Sequence, residues 1–575
     1  MNVKKDTKPW EAFYEKETNP NPEECKDSNI PENIHRVCLK YANQKAFSIV
    51  LENGLQASLN YSDVNAYSSA FAVFLRDTLK LEQGERVAVQ LPNCLASPIA
   101  LFGVLKAACV IVNTNPLYTA HEMIHQFNDS DAKVLVTMDI FSEKLTEVLE
   151  KTKLKHIILV SISDFFPWYF KLPIDVTLKY IKKSVKNYEQ PHWTFRRAIQ
   201  SGLKFIKKKK IDCQTYYKSI DKTCVALLQY TGGTTGISKG AMLAHKNILN
   251  NMTQVLEMGH SIFTTKNTVL NVLPLYHIFA FTMNLMAFFS QGSHNILIPN
   301  PRPLRNLKPA FKAFKITCLP GVNTLFNALL HEKWFHKNLT SNLKIAIAGG
   351  STLHAGVAKA WEEFTESPII EGYGLTECSP VVSLNPLCGL VKRSTVGIPI
   401  PCTDVKILNS QGEELASGET GEIAVKGPQV FLGYWKNKTE TEKTLLNGWF
   451  LTGDIGVIDS DGYLKIIDRK KDLIIVSGFN VYPNEIEDTI SKMPQVLEVA
   501  VIGVPDKRTG EAVCAIVVKK EDSIDGLDIK AYCRKYLTSY KIPRKVIFTD
   551  QLPKSPIGKI LRKELKKKYQ KDKVL

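Results

Sequence analysis

One stretch constrains this chain more than any other: residues 230–240 read Tyr-Thr-Gly-Gly-Thr-Thr-Gly-Ile-Ser-Lys-Gly. Glycines let the backbone approach an anion closely, threonine hydroxyls add donors, and a lysine adds a point charge. A P-loop needs glycine directly before Lys-Ser/Thr, whereas Ser238 precedes Lys239 here. The apolar run Val225–Leu228 and a helical pattern from about Lys246 favour a strand, loop and helix. The pattern predicts a polyphosphate-binding loop outside the P-loop fold, with an ordinary turn as the alternative.

Four later stretches carry further polar groups on short loops, in one consistent order. They are Glu371-Gly-Tyr-Gly-Leu-Thr-Glu377, Asn447-Gly-Trp-Phe-Leu-Thr-Gly-Asp454, Asp468-Arg-Lys-Lys-Asp-Leu473 and Lys554-Ser-Pro-Ile-Gly-Lys559. Together with the glycine and threonine loop they resemble the adenylate-forming superfamily of acyl-CoA synthetases, luciferases and peptide-synthetase adenylation domains. The resemblance covers nearly the whole chain.

Three stretches, one of which extends the Glu371–Glu377 loop, narrow the resemblance to bacterial long-chain fatty acid CoA ligases. These stretches span residues 273–280, 369–378 and 476–487. This resemblance implies an ATP-dependent enzyme that makes acyl-AMP and pyrophosphate, and then acyl-CoA and AMP. ATP, Mg²⁺ and coenzyme A are the cofactors and co-substrates that it implies.

The fold class expected is α/β, with three parts along the chain. Short β-branched runs alternate with helical patterns up to about Asp468, which is typical of layered α/β units with mainly parallel strands. Turn-rich strands between residues 416 and 465 predict a small β-rich subdomain. We expect an N-terminal AMP- and acyl-binding domain over residues 1–467, a hinge linker over 468–473, and a mobile α+β C-terminal domain over 474–575.

The resemblance assigns the nucleotide and metal site residue by residue. Lys559 is expected to place its ammonium between the substrate carboxylate and the α-phosphate, and Glu377 with Thr231 to hold Mg²⁺; these three are the candidate catalytic residues. The expected nucleotide-binding residues are Thr231, Gly232, Gly233, Thr234, Thr235, Gly236, Lys239, Gly350, Ser351, Gly372, Tyr373, Gly374, Thr376, Asp454 and Arg469. By charge alone, Lys559 also fits a surface lysine in a basic tail.

The acyl and CoA contacts follow from the same resemblance. The fatty-acid channel is expected to use His277, Phe281, Gly321 and Asn323, although simple core packing also accounts for Phe281. A lysine at the acyl-phosphate would obstruct the CoA thiol, and the family solves this by rotating its small domain. Lys471 matches the pivot, and Gly478 and Phe479 would line the pantetheine tunnel.

Other functions share some of these features. A fatty acyl-AMP ligase that loads a carrier protein would keep every nucleotide residue, and a luciferase-like enzyme would also form acyl-AMP. A protein of another class, a non-catalytic lipid-docking or membrane-docking protein, would rest on the basic aromatic segment 165–210. The complete set of nucleotide residues speaks against that last interpretation.

Charge is unevenly distributed along the chain, whose formal net charge is +17. Residues 171–210 hold twelve Lys or Arg and two acids, so 12 − 2 = +10 falls in forty residues that also contain apolar and aromatic side chains. Such a mixture suits the anionic surface of a membrane, and a solvated insertion that binds nothing is the alternative. No nucleic-acid fold signature accompanies the charge.

Composition and short patterns place the chain among large reducing-compartment enzymes. Its twelve cysteines include no Cys-x-x-Cys pair, and the polar N-terminus lacks the apolar part of a signal peptide. We expect a cytoplasmic protein, with peripheral contact at the inner face of the membrane as a second option and a homodimer left open.

His121-Glu-Met-Ile-His125 matches a zinc-protease pattern but is also typical of a capped amphipathic helix, which is the interpretation we favour. The uncharged stretch 267–301 reads as buried strand, helix and strand, because its polar residues would be costly in lipid.

Overall fold

The computed structural model describes residues 8–186, 188–231, 238–338, 342–387, 389–520, 524–556 and 558–569. A nine-stranded sheet runs through the large N-terminal part in the order β16-β15-β14-β13-β12-β10-β11-β1-β2, parallel from β14 to β1. Its strands are β1 (Lys45–Val50), β2 (Gln56–Asn60), β10 (Thr268–Asn271), β11 (His294–Leu297), β12 (Cys318–Gly321), β13 (Ile345–Ala348), β14 (Ile369–Gly374), β15 (Val381–Leu384) and β16 (Ile398–Pro399).

A second sheet of seven strands has the order β7-β6-β5-β3-β4-β8-β9, parallel except for the last pair. Most of its central positions are buried and rich in Val, Ile and Leu, as expected for strands covered on both faces. Its strands are β3 (Arg86–Gln90), β4 (Val110–Asn113), β5 (Val134–Met138), β6 (His156–Val160), β7 (Trp193–Thr194), β8 (Val225–Thr231) and β9 (Lys239–Ala244).

Two smaller sheets follow along the chain. The antiparallel five-stranded sheet matches the predicted β-rich subdomain and contains β17 (Asp404–Leu408), β18 (Gly421–Lys426), β19 (Leu445–Leu446), β20 (Trp449–Ile458) and β21 (Leu464–Arg469). The last sheet contains β22 (Ile474–Val476), β23 (Phe479–Val481), β24 (Val496–Asp506), β25 (Gly510–Lys519) and β26 (Lys545–Phe548).

Helices cover both large sheets and the last small one. They are α1 (Ile30–Lys40), α2 (Tyr61–Val73), α3 (Ala96–Lys106), α4 (Ala120–Ser130), α5 (Leu145–Glu150), α6 (Trp168–Val176), α7 (Phe195–Lys209), α8 (Gln214–Tyr217), α9 (His245–Met258), α10 (Ile278–Ala280), α11 (Lys308–Ala313), α12 (Asn323–Leu330), α13 (Lys333–Asn338), α14 (Ala355–Thr365), α15 (Lys438–Thr444), α16 (Pro483–Ile490), α17 (Gly526–Tyr536) and α18 (Arg562–Tyr569). Helices α2, α6 and α10 continue as π-helical turns at Phe74–Thr78, Thr177–Ile181 and Phe281–Phe288.

The apolar residues divide into separate cores on either side of the predicted linker. The largest core runs from Trp10 to Leu464 in sequence, and another begins at Ile474 and ends at Cys533. Residues 468–473 lie between these cores, where β21 ends and a turn leads into β22. The fold class predicted from the sequence, a layered α/β part with a β-rich subdomain and a small α+β part, is confirmed.

Two sequence patterns that resemble a zinc-protease motif and a membrane span form ordinary helices and strands of the α/β fold. The His121 pattern lies on α4, which begins with a capping box between Thr119 and Glu122. The part of the chain that the structure describes contains no group of three or more His, Cys, Asp or Glu arranged to hold a metal ion. The uncharged stretch 267–301 forms β10, α10 with its π-helical turn, and β11. No helix among the described residues is long and apolar enough to span a membrane.

Candidate active site

A large cleft of about 1140 Å³ lies between the large part of the chain and the residues that follow the linker. Its floor is built at the carboxyl ends of parallel strands, where α/β sheets usually bind their ligands. Residues after β12, after β13 and at the end of β14 line the cleft from one side, and residues around Lys559 line it from the other. Of the predicted site residues, those lining the cleft are Asn323, Gly350, Ser351, Gly372, Tyr373, Gly374, Asp454, Arg469, Lys471 and Lys559.

Asp454, Tyr373 and Arg469 form one hydrogen-bonded group in the cleft. The Tyr373 hydroxyl donates to Asp454 Oδ2 at 2.7 Å, and Arg469 Nε lies 3.1 Å from Asp454 Oδ1. Asp454 and Arg469 are direct neighbours because β20 and β21 pair antiparallel in that register. Burial raises the pKa of Tyr373, and the Asp454 carboxylate raises the pKa of Arg469, so both groups keep their protons and can donate.

The end of β14 shows why glycine is needed beside Tyr373. A Cβ on Gly374 would lie 2.1 Å from the Pro380 carbonyl oxygen, so only glycine fits this close antiparallel approach. In this way β14 and β15 hold Tyr373 toward the cleft. Thr376 and Glu377 follow in a short 3₁₀ turn.

The adenine side of the predicted nucleotide site contains an unpaired polar group. The Ser351 hydroxyl is buried and has no hydrogen-bond partner among the described residues. A buried hydroxyl without a partner costs free energy, and a nucleotide base offers several acceptors. Ser351 therefore fits the predicted ATP-binding role.

Lys559 enters the cleft on a tight loop. Its carbonyl accepts from the Ser555 amide at 2.7 Å and its amide donates to Ser555 Oγ at 3.1 Å, while Gly558 has φ +87°. Thr324 Oγ1, on the large part, donates to the Gly558 carbonyl at 3.2 Å. The pKa of Lys559 is lowered to about 7, first by the charge of Arg469 and then by burial. A bound anion would relieve this repulsion.

The candidate magnesium residue Glu377 is buried and held from the segment before α15. The Tyr434 hydroxyl donates to Glu377 Oε1 at 2.8 Å, and the Phe431 amide donates to the Glu377 carbonyl at 2.8 Å. Burial raises the pKa of Glu377. A carboxylate and the Thr231 hydroxyl are hard oxygen donors of the kind Mg²⁺ prefers, and two such donors leave positions for substrate phosphates. The residue types therefore fit the ion, and their role in binding it stays a prediction.

The phosphate loop differs locally from the prediction. A strand, β9, intervenes between the loop and α9, so the context is two antiparallel strands followed by a helix. Lys239 begins β9, lies over the Tyr434 ring and forms an ion pair with Glu440. The Thr231 hydroxyl donates to the Lys239 carbonyl at 3.5 Å. Gly232, Gly233, Thr234, Thr235 and Gly236 lie outside the described residues.

Of the four predicted acyl residues, Asn323 lines the cleft, whereas His277, Phe281 and Gly321 do not. His277 accepts from the Phe279 amide at 3.3 Å, and burial lowers its pKa to about 4, so the ring is neutral. Phe281 is fully buried at the start of the π-helical turn. A Cβ on Gly321 would lie 2.9 Å from two neighbouring side chains, and Asn323 Oδ1 accepts from the His354 amide. Their acyl-binding role stays a prediction.

The predicted CoA residues are not together in this arrangement. Lys471 lines the cleft, where burial and the charge of Arg469 lower its pKa to about 8. Gly478 meets no atom within 4 Å of its ideal Cβ position, and Phe479 is 55% exposed and stacks on Tyr540. Only a different placement of the C-terminal part would bring Phe479 to the cleft, and that stays a prediction.

Sequence reasoning missed the residues that join the two parts of the chain. Thr324 reaches Gly558, His354 reaches Asp488, and Arg562 reaches both the linker and α16. The sequence offered a signal for Arg562, because this residue lies three positions after Lys559 and begins the charged helix α18. Nothing in the local sequence indicates that Thr324 or His354 contacts the C-terminal part of the chain.

Comparisons with known proteins agree with this fold. Residues 35–435 match the family described as AMP-binding enzyme, and residues 485–559 match the AMP-binding enzyme C-terminal domain. A long-chain-fatty-acid–CoA ligase of Salmonella typhimurium (strain LT2) is 43% identical over 540 residues, which cover 94% of this chain and 94% of that protein. One of Bacillus subtilis (strain 168) is 36% identical over 511 residues, 88% of this chain and 89% of that protein.

A solved structure gives the same answer for the fold. ATP-bound MatB from Rhodopseudomonas palustris superposes with a TM-score of 0.78 at 28% identity, covering 94% of this chain and 99% of that one. The chain therefore belongs to the AMP-binding enzyme family. The superfamily membership predicted from the sequence is confirmed.

Proposed function

We propose that this chain is an ATP-dependent long-chain fatty acid–CoA ligase. Relatives of that name align with it over nearly their whole length. The observation that carries the proposal is that Lys559, Asp454 and Arg469 line one cleft, although Lys559 comes from a part of the chain with its own core. The chemistry needs such a site, because a carboxylate is a poor electrophile until its oxygen is converted into a leaving group.

In the first half-reaction the fatty carboxylate attacks the α-phosphorus of ATP, pyrophosphate leaves, and acyl-AMP forms. The Lys559 ammonium stabilises the negative charge shared by the carboxylate and the α-phosphate in the transition state. Asp454 accepts from the ribose hydroxyls and Arg469 donates to them. Glu377 and Thr231 would hold Mg²⁺, which supplies charge compensation to the phosphates.

In the second half-reaction the CoA thiol attacks the acyl carbon and AMP leaves. Lys559 occupies the approach to that carbon, so it must withdraw first. Lys471, in the turn between β21 and β22, is the proposed pivot, and rotation there would bring Gly478 and Phe479 toward the cleft.

AMP release from ATP with palmitate and Mg²⁺, with and without CoA, tests the proposal. Wild type should give CoA-dependent AMP and palmitoyl-CoA, and Lys559→Ala should lose adenylation but still convert supplied palmitoyl-AMP to thioester. Lys568→Ala, an exposed lysine on α18, serves as the control and should be unchanged. Acyl-AMP without thioester would favour loading of a carrier protein, and loss of both half-reactions in Lys559→Ala would contradict the assigned role.

The basic aromatic segment supports a second part of the proposal, peripheral contact with an anionic membrane. On helix α6, Lys171 is partly covered by its ion pair with Asp175 at 2.9 Å and its hydrogen bond to Ser163 Oγ at 2.8 Å, and Ile174 is buried. The exposed face of an ordinary surface helix is mainly polar, whereas the exposed face here carries apolar side chains. The side chains left exposed, by 43 to 75%, are Trp168, Tyr169, Leu172, Val176, Tyr180 and Ile181.

Cations are frequent in the same stretch of sequence. Lys179 lies within the exposed apolar stretch, Lys183 follows it, and α7 contains six Lys or Arg and no acid. Exposed aromatic residues beside lysines suit the headgroup region, where each cation contributes about 1 kcal/mol. A long-chain fatty acid partitions into the bilayer, so such contact would bring the enzyme to its substrate.

Vesicle sedimentation tests the contact. The chain should bind phosphatidylcholine vesicles containing 30% phosphatidylserine, about tenfold more weakly after Trp168→Ser with Ile181→Ser. Leu527→Ser, which removes a 70% exposed leucine from α17, is the matched control and should change nothing. If the double variant and Leu527→Ser bound these vesicles equally well, the assignment of this face to membrane contact would be contradicted.

A further inference from the structure

One ion pair joins the large part of the chain to the part that carries Lys559. His354 Nδ1 lies 2.8 Å from Asp488 Oδ1. His354 precedes α14 in the large part, where its amide donates to Asn323 Oδ1 at 3.0 Å, so its backbone is fixed. Asp488 lies on α16, beyond the linker. The pair is therefore a contact between two parts that have separate cores.

The charges around His354 favour its cationic form. Asp488, Glu487 and Glu371 face it and together raise its pKa, against burial, which acts in the opposite direction. The contact therefore has the character of a charge-assisted hydrogen bond, which is stronger than a neutral one. Asp488 is half exposed, so its own carboxylate stays hydrated when the pair opens.

Helix α16 is in turn tied to Lys559 through one buried arginine. Arg562, three residues after Lys559, bonds to Glu487 Oε2 at 2.6 Å and contacts Asn484, and both partners lie on α16. Arg562 also lies 3.2 Å from Asp468 in the linker. A displacement of α16 is therefore transmitted to the lysine loop, because the two share this buried group.

We propose that the His354–Asp488 pair is a latch that holds Lys559 in the cleft during adenylation and opens before the thioester step. The inference rests on the proposed two-step reaction and on the pivot at Lys471. His354 and Asp488 act as positioning residues, since they set the placement of α16 and, through Arg562, of Lys559. Opening the latch exchanges one bond for hydration and breaks no element of either core.

The two half-reactions, measured separately, test the latch. Adenylation is followed as palmitate-dependent pyrophosphate release, and thioester formation is followed from supplied palmitoyl-AMP and CoA. His354→Ala and Asp488→Asn should each lower the ratio of the adenylation rate to the thioester rate about tenfold. Exchange of the pair, His354→Asp with Asp488→His, should restore most of the ratio. Lys359→Ala, an exposed lysine on α14, is the matched control.

A second measurement does not depend on activity. The linker contains Lys470, so trypsin should cleave it faster in His354→Ala than in wild type, and the exchanged pair should restore the slow rate. An unchanged ratio and unchanged cleavage would overturn the latch, as would an equal loss of both half-reactions with no rescue. A wild-type protein that makes no acyl-CoA would overturn the proposed function, and the cleavage rates would then decide about the latch alone.

Discussion

Replacing Gly558 by alanine should slow adenylation more than thioester formation. Gly558 precedes Lys559, has φ +87°, and presents its carbonyl to Thr324 of the large part. A Cβ there would lie 2.8 Å from Thr324 Oγ1 and 3.1 Å from Val322 Cγ2. Both neighbours belong to the other part of the chain, so the new methyl group would collide only while Lys559 is in the cleft.

The size of the effect follows from two separate costs. A left-handed φ costs an alanine about 1–2 kcal/mol, and this cost is paid wherever the loop keeps its shape. The contact with Thr324 is about 0.7 Å shorter than the optimum for non-bonded atoms, and overpacking of this kind costs about 1–2 kcal/mol. Only the second cost distinguishes the two half-reactions. It should lower the ratio of adenylation to thioester formation about 5- to 30-fold.

The assay is the same pair of half-reactions, run on Gly558→Ala, Thr324→Ala and the double variant. Thr324→Ala removes the closest atom, so the double variant should recover part of the ratio lost in Gly558→Ala. Equal slowing of both half-reactions, or no recovery in the double variant, would refute the steric argument. In that case Gly558 would act only through the shape of its own loop.

Three further predictions concern stability and pH. Arg562→Met leaves buried carboxylates unpaired and should cost about 3–5 kcal/mol, seen in calorimetry as a lower melting temperature for the C-terminal part; an unchanged trace would contradict this. Gly202→Ala puts a Cβ 1.8 Å from the Ala70 carbonyl oxygen where α2 and α7 touch, and should cost more than about 2 kcal/mol in urea unfolding, whereas Gly356→Ala meets open space and should not. Since Lys559 has a pKa of about 7 and acts as an ammonium, kcat/KM for adenylation should fall as the pH rises above 7, and Lys559→Arg, if active, should lose this dependence.

The loops of the site could be predicted from the sequence because each is local. Tyr373 at the end of β14 and Glu377 in the following 3₁₀ turn are four residues apart, and Asp454 and Arg469 become neighbours through a simple pairing of β20 with β21. Short motifs of this kind can be recognised in a sequence because glycine, an acidic residue and a basic residue recur in them at small, fixed spacings. Their roles toward ATP stay predictions.

Strand β9 could not be predicted from local sequence propensity. Residues 239–244 read Lys-Gly-Ala-Met-Leu-Ala, with no β-branched residue, and so lack strand propensity. Tertiary contacts supply the preference instead: β9 pairs with β8 on one edge, and the Met242 amide donates to the Gly433 carbonyl on the other. The contacts between the two parts of the chain are missed for the same reason, since His354 and Asp488 are 134 residues apart.

The charges of the cleft connect the chemistry to the movement of Lys559. Arg469, Arg562 and Lys471 all lower the pKa of Lys559, and Asp454 alone opposes them among its largest influences. Lys559 and these cations repel one another, so the placement of Lys559 is most favourable when substrate anions fill the cleft. ATP and a fatty carboxylate supply those charges. In the proposed reaction, departure of pyrophosphate removes most of these charges, and the remaining repulsion would then favour the withdrawal of Lys559 that we propose precedes attack by the CoA thiol.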